Sequence, residues 1–110
     1  MTREIEIRRY LTENGRDAFG EWLAGLKDNQ TRAKIVVRID RLAAGNFGDC
    51  KSLRGGLYEL RIDWGPGFRV YYALVGRYCV LLLWGGQKLK QSSDIQLALQ
   101  YLKDYRERTV

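Results

Sequence analysis

The alternation of apolar and polar positions is most regular over residues 57–90, and the rest of the chain is read outward from there. Tyr58, Leu60, Ile62 and Trp64 fall on one side of a period of two, with Glu59, Arg61 and Asp63 on the other, which predicts a strand with one apolar and one charged face. After Gly65-Pro66-Gly67 the pattern resumes, with Phe68, Val70, Tyr72 and Leu74 on one face and Arg69, Tyr71, Ala73 and Val75 on the opposite one. A third run, residues 78–84, is apolar on both faces, as expected of a strand covered from both sides. The breaks at Gly-Pro-Gly and at Gly76-Arg77 predict two consecutive hairpins, an antiparallel meander. Pairing Trp64 with Phe68 across the first turn would set Asp63 opposite Arg69 and Arg61 opposite Tyr71.

Residues 3–9 alternate as well, Ile5 and Ile7 against Glu4, Glu6 and Arg8, and predict an edge strand with a solvated charged face. Asn14-Gly15 breaks the chain, and Phe19, Trp22, Leu23 and Leu26 then recur at the spacing of an amphipathic helix. Asp28-Asn29 caps a second helix, expected to run to Ala44 with Val36, Ile39 and Ala43 inward and Gly45 as its stop. So short a connection predicts an antiparallel helix hairpin packed on the sheet. Residues 45–56 are glycine-rich and read as a loop. Beyond the sheet, Ser92, Ser93 and Gln96 form a capping-box signal with Asp94 in the first turn, and Ile95, Ala98, Leu99, Leu102 and Tyr105 are the inward stripe of a C-terminal helix. The sum is an α+β fold: N-terminal strand, antiparallel helix hairpin, antiparallel meander sheet and C-terminal helix. With no repeat or linker in the sequence, residues 1–110 are expected to form a single domain.

Composition narrows the chemistry. Lys and Arg outnumber Asp and Glu 19 to 13, a formal charge of +6, which favours a polyanionic or acidic partner. There is no histidine, and the two cysteines, Cys50 and Cys79, form no CxxC pair, so neither a zinc site nor a disulfide framework is expected. No metal or cofactor is anticipated, and the reducing cytoplasm is the expected compartment. The longest apolar run, residues 79–84, is too short to span a bilayer, and the Met1-Thr2-Arg3-Glu4 start lacks a signal core. Acid-base chemistry would have to use Lys, Arg, Tyr, Asp, Glu or Cys.

Two groups of cations stand out. Lys34, Arg38 and Arg41 recur at i, i+4 and i+7 on the second helix, where a solvated face and a contact with RNA or an acidic partner are both open. Lys51, Arg54, Arg61, Arg69, Lys88 and Lys90 come from a loop, two strands and a strand end, and the alternation brings them to one side of the sheet. An arginine fork there suits the paired oxygens of a phosphate. The same spacing equally allows Arg61 and Arg69 to pair with Glu59 and Asp63.

The succession of strand, helix pair, basic loop, Leu53 to Ile62 with its Gly-Gly-Leu-Tyr-Glu-Leu-Arg-Ile, Phe68-Arg69-Val70-Tyr71-Tyr72, a buried strand and Gly85-Gly86-Gln87-Lys88 resembles the RelE/ParE toxin superfamily. It is most similar to the HigB-like branch, the addiction module killer proteins, from Ile5 to about Tyr105. The resemblance implies the toxin of a type II toxin–antitoxin module, paired with a helix-turn-helix antitoxin, that cleaves messenger RNA on the ribosome without a metal. Arg61 and Arg69 match the family's strand arginines and would bear transition-state charge. Lys51 and Arg54 match its basic loop, a phosphate-positioning role. Lys88, and with it Lys90, stands where the family places late catalytic residues. A late tyrosine of the better-known members is missing here, which leaves Tyr71 open as a substitute beside its packing role. A ParE-like toxin that binds DNA gyrase without cutting is the alternative on the same fold.

Overall fold

The computed structural model describes residues 4–109. Five strands, β1 (Glu6–Arg9), β2 (Cys50–Ser52), β3 (Leu57–Ile62), β4 (Phe68–Leu74) and β5 (Cys79–Gln87), form one sheet in the order β1-β5-β4-β3-β2. Helices α1 (Ala18–Ala24) and α2 (Asn29–Ala43) cover one face, α1 against β5 and α2 against β3, and α3 (Gln91–Arg108) covers the other. This is the α+β architecture expected, with its N-terminal strand and C-terminal helix in place. The sheet is nonetheless mixed, because β1 pairs parallel with β5 while β2 to β5 run antiparallel. The stretch of the expected first strand before Glu4 lies outside the described residues.

Alternation sorts the two cores. Leu60, Ile62, Phe68, Val70, Tyr72, Val80 and Leu82 meet Phe19, Ile35 and Leu42 under α1 and α2. Leu57, Tyr71, Ala73, Leu81 and Leu83 meet Ala98 and Leu102 under α3. A β-bulge separates Tyr71↔Trp84 from Tyr72↔Leu82, so Leu83 and Trp84 both belong to the α3 side and the alternation restarts one residue later. Gly85 and Gly86 consequently lie under different layers. A Cβ on Gly85 would run into the Trp22 indole from α1, and one on Gly86 into the Asp94 carboxylate from α3.

Several expectations are corrected. The β3–β4 register is Ile62↔Phe68 and Arg61↔Arg69, two residues from the pairing of Trp64 with Phe68. The reason is that Trp64 closes the turn itself, the Gly67 N–H donating to its carbonyl at 3.0 Å, and so leaves the ladder. A two-residue slip preserves faces but changes every cross-strand partner. The loop at 45–56 contains the short strand β2, and β5 runs on through Gln87. On α2 Ile39 packs against the core as expected, but the buried residues are Thr31, Ile35 and Leu42, whereas Val36 is 41% exposed. Three consecutive apolar residues, Ile35-Val36-Val37, leave the helical phase ambiguous in sequence. Asp28 caps α2 as expected, accepting from the Gln30 N–H at 3.1 Å and the Thr31 hydroxyl at 2.7 Å. The capping box at Ser92 is absent: a 3-10 turn over Lys88–Lys90 runs straight into α3, and Ser93 donates back to the Lys90 carbonyl.

Candidate active site

Where β3 and β5 end and β4 begins, Arg61, Arg69 and Lys88 line a cleft of about 380 Å³ with Asp49, Asp63 and the Gly65-Pro66-Gly67 turn. The turn is fastened to the end of β5, since the Lys88 N–H donates to the Gly67 carbonyl at 3.0 Å. Gly67 has φ +88°, a conformation L side chains rarely adopt, and a Cβ there would lie 3.5 Å from the Lys88 side chain. The Gly-Pro-Gly signature therefore brings Lys88 beside the strand arginines.

Arg61 and Arg69 are directly opposed in the ladder, an arrangement of like charges that is destabilising on its own. Glu59, two residues before Arg61 on the same face, resolves it. Its carboxylate is wholly buried. Oε1 accepts from Arg61 Nε at 3.1 Å and lies 3.5 Å from Arg69 Nε, and Oε2 accepts from Gln91 Nε2 at 2.6 Å. A charge removed from water must be met by partners of this kind, or the cost runs to several kcal/mol. The Arg69 side chain is itself 12% exposed and also donates to the Phe68 carbonyl, while that of Arg61 is 34% exposed. Arg61 is thus anchored through Nε, leaving its terminal nitrogens available to the cleft it lines.

The same buried layer continues under α3. Asp94 accepts from the Trp84 indole N–H at 2.9 Å through Oδ1, and the second carboxylate oxygen, the Tyr71 hydroxyl and Arg69 Nε have no hydrogen-bond partner among the described residues. Burial first, then the nearby Glu59 and Asp94 carboxylates, push the Tyr71 phenol up from its usual range. It stays protonated at neutral pH, and with no surface exposed it packs rather than meets a substrate.

The other cations are placed differently. Neither arginine pairs with Asp63; both use Glu59. Lys51 lies opposite Glu59 on β2 with its side chain in solvent, and Arg54 is exposed in the turn before β3. Lys90 borders a separate cavity of about 240 Å³ beside Trp22, Trp84 and Asp94. Lys34, Arg38 and Arg41 line a groove between α2 and the end of β3, next to Trp64. Sequence reasoning offered Glu59 as a partner of the arginines, but missed that one carboxylate serves both, and missed Gln91 behind it. The Glu-Leu-Arg spacing was the available signal for Glu59, and Gln91 has none.

The sheet, with two helices on one face and one on the other, matches the fold of Escherichia coli toxin RelE. The free state of a double arginine-to-alanine variant of that toxin superposes with a TM-score of 0.62 at 13% identity, over 98% of this chain and 100% of that one. By sequence the chain belongs to the family described as phage derived protein Gp49-like (DUF891), whose pattern matches residues 21–103. An uncharacterized protein of Haemophilus influenzae is 47% identical over 94 residues, 86% of this chain and 89% of that one.

Proposed function

We propose that the chain is the toxin of a toxin–antitoxin pair, of the HigB-like kind, and that it cleaves messenger RNA at the ribosome in the cytoplasm. The observation that carries this reading is the cleft in which Arg61, Arg69 and Lys88 meet above a buried carboxylate. In the reaction a ribose 2′-oxygen attacks the adjacent phosphorus; the O2′–P bond forms and the P–O5′ bond breaks, giving a cyclic phosphate and a free 5′-hydroxyl. Arg61 and Arg69 hold the non-bridging oxygens as their charge grows, an effect worth on the order of 100-fold in rate per donor. The Lys88 ammonium delivers a proton to the departing 5′-oxygen, and the Asp49 and Asp63 carboxylates lie in the same cleft to receive the 2′-proton. Lys51 and Arg54, exposed beside β3, and Lys90 extend phosphate contacts outward.

Primer extension on cellular messenger RNA after brief induction tests this. The wild-type chain is expected to leave new ends inside translated codons. Arg61→Ala, which leaves Glu59 its contacts to Arg69 and Gln91, and Lys88→Ala are each expected to leave almost none. Growth arrest by the wild type without new ends, accompanied by loss of DNA supercoiling, would replace the nuclease with a toxin that binds gyrase.

A further inference from the structure

We propose that the groove between α2 and the end of β3 seats an acidic amphipathic helix of a partner polypeptide. The groove measures about 410 Å³; Ala33, Val37 and Trp64 make its apolar floor, and Lys34, Arg38 and Arg41 its rim. Val37 is 46% exposed and the adjacent Val36 41%, an apolar strip left uncovered on α2. Lys34 and Arg41 have no ion pair among the described residues. Arg38 is steadied from behind by a hydrogen bond of 3.3 Å to the Phe47 carbonyl.

Geometry selects a helix over a nucleic acid strand. From Lys34 to Arg41 α2 rises about 10 Å, so carboxylates at i, i+4 and i+7 of a second helix laid alongside meet the three cations in turn. A nucleobase would need the face of Trp64, and that ring is engaged. Lys34 Nζ sits 4.7 Å from its centroid, and its N–H donates to the Thr31 hydroxyl at 3.2 Å. Apolar side chains on the incoming helix instead fill the strip at Val36 and Val37, the helix-in-groove mode of recognition. Ile62 and Asp63 line both this groove and the catalytic cleft, so an occupant also stands at the mouth of the cleft. Naming the antitoxin as the carrier of that helix rests on the toxin reading above; the chemistry of the groove does not.

The test is fluorescence anisotropy with a labelled helical peptide of about 16 residues carrying glutamates at i, i+4 and i+7 and leucines between them. A scrambled peptide of the same composition is the control. The ordered peptide is expected to bind at least about tenfold tighter than the scrambled one, and to weaken as salt rises from about 50 to about 300 mM. Lys34→Glu with Arg41→Glu should weaken it by a further factor of about ten or more, and Val37→Ser, at a half-exposed position, by about threefold. Circular dichroism and melting of each variant separate loss of binding from loss of fold. Equal binding of ordered and scrambled peptides, or binding indifferent to these substitutions in folded variants, overturns the proposal. So does an oligouridylate that displaces the peptide and itself loses affinity in the Lys34→Glu, Arg41→Glu variant, which would make the groove an RNA surface. None of these readouts depends on RNA cleavage, so the groove and the nuclease can fail separately.

Discussion

Glu59 decides what the two arginines are able to do. Replacing it with Gln keeps an oxygen for Arg61 Nε but leaves Arg69, only 12% exposed, with a positive charge and no buried counter-charge. We expect a loss of about 3 kcal/mol in urea unfolding for Glu59→Gln, and about 1 kcal/mol for Arg61→Ala, whose side chain is one-third exposed. Equal losses would mean that Glu59 serves Arg61 and Arg69 alike. The arginines themselves were legible in sequence from their alternation. Glu59 was legible as a partner for them, but that it is buried and serves both was not, because only the packing of α3 on that face shows it. The same cover explains why Tyr71, on that face, is a packing residue.

At the level of elements, the end of β5 is fitted between the helical layers by its two glycines. Gly85 admits Trp22 on one side, and Gly86 admits Asp94 on the other. Gly86→Ala must push Asp94 off the Trp84 indole and uncouple α3 from the sheet beside Lys88; a destabilisation of roughly 2 kcal/mol is expected, read as a lowered melting temperature. Gly85→Ala should cost a similar amount through Trp22 while leaving the Trp84–Asp94 hydrogen bond intact, so near-ultraviolet circular dichroism of the indoles should tell the two variants apart. Sequence periodicity found all three helices and the meander, since those signals are local. It missed β2, which is three residues long, and the β-bulge, which only the register of β4 against β5 reveals. It also turned Val36 of α2 inward, and gave no sign of Val37, the exposed valine that lines the groove.

Across the whole molecule, the segment after β1 is tied to the end of α3. The Tyr10 hydroxyl donates to Asp104 at 2.5 Å, its ring stacks on Tyr101 with centroids 4.9 Å apart, and Arg108 reaches both Asp104 and the Leu11 carbonyl. Burial and then the Asp104 hydrogen bond push the Tyr10 phenol up to about 12. The unfolded chain gives up that proton near pH 10, so this contribution is complete below about pH 10 and disappears as the pH approaches about 12. Unfolding free energy measured across that interval should fall, and fall less steeply in Tyr10→Phe. The deeper Tyr71 and Tyr72, shifted in the same direction, keep part of the slope. The parallel seat of β1 against β5 also sets a schedule. Glu6 pairs with Cys79, so during synthesis the first strand must wait for some seventy residues to follow it before it has a neighbour. The cleft is completed later still, by Lys88 and Gln91, so a nascent chain on the ribosome has no assembled cationic cleft until its last helix begins to emerge.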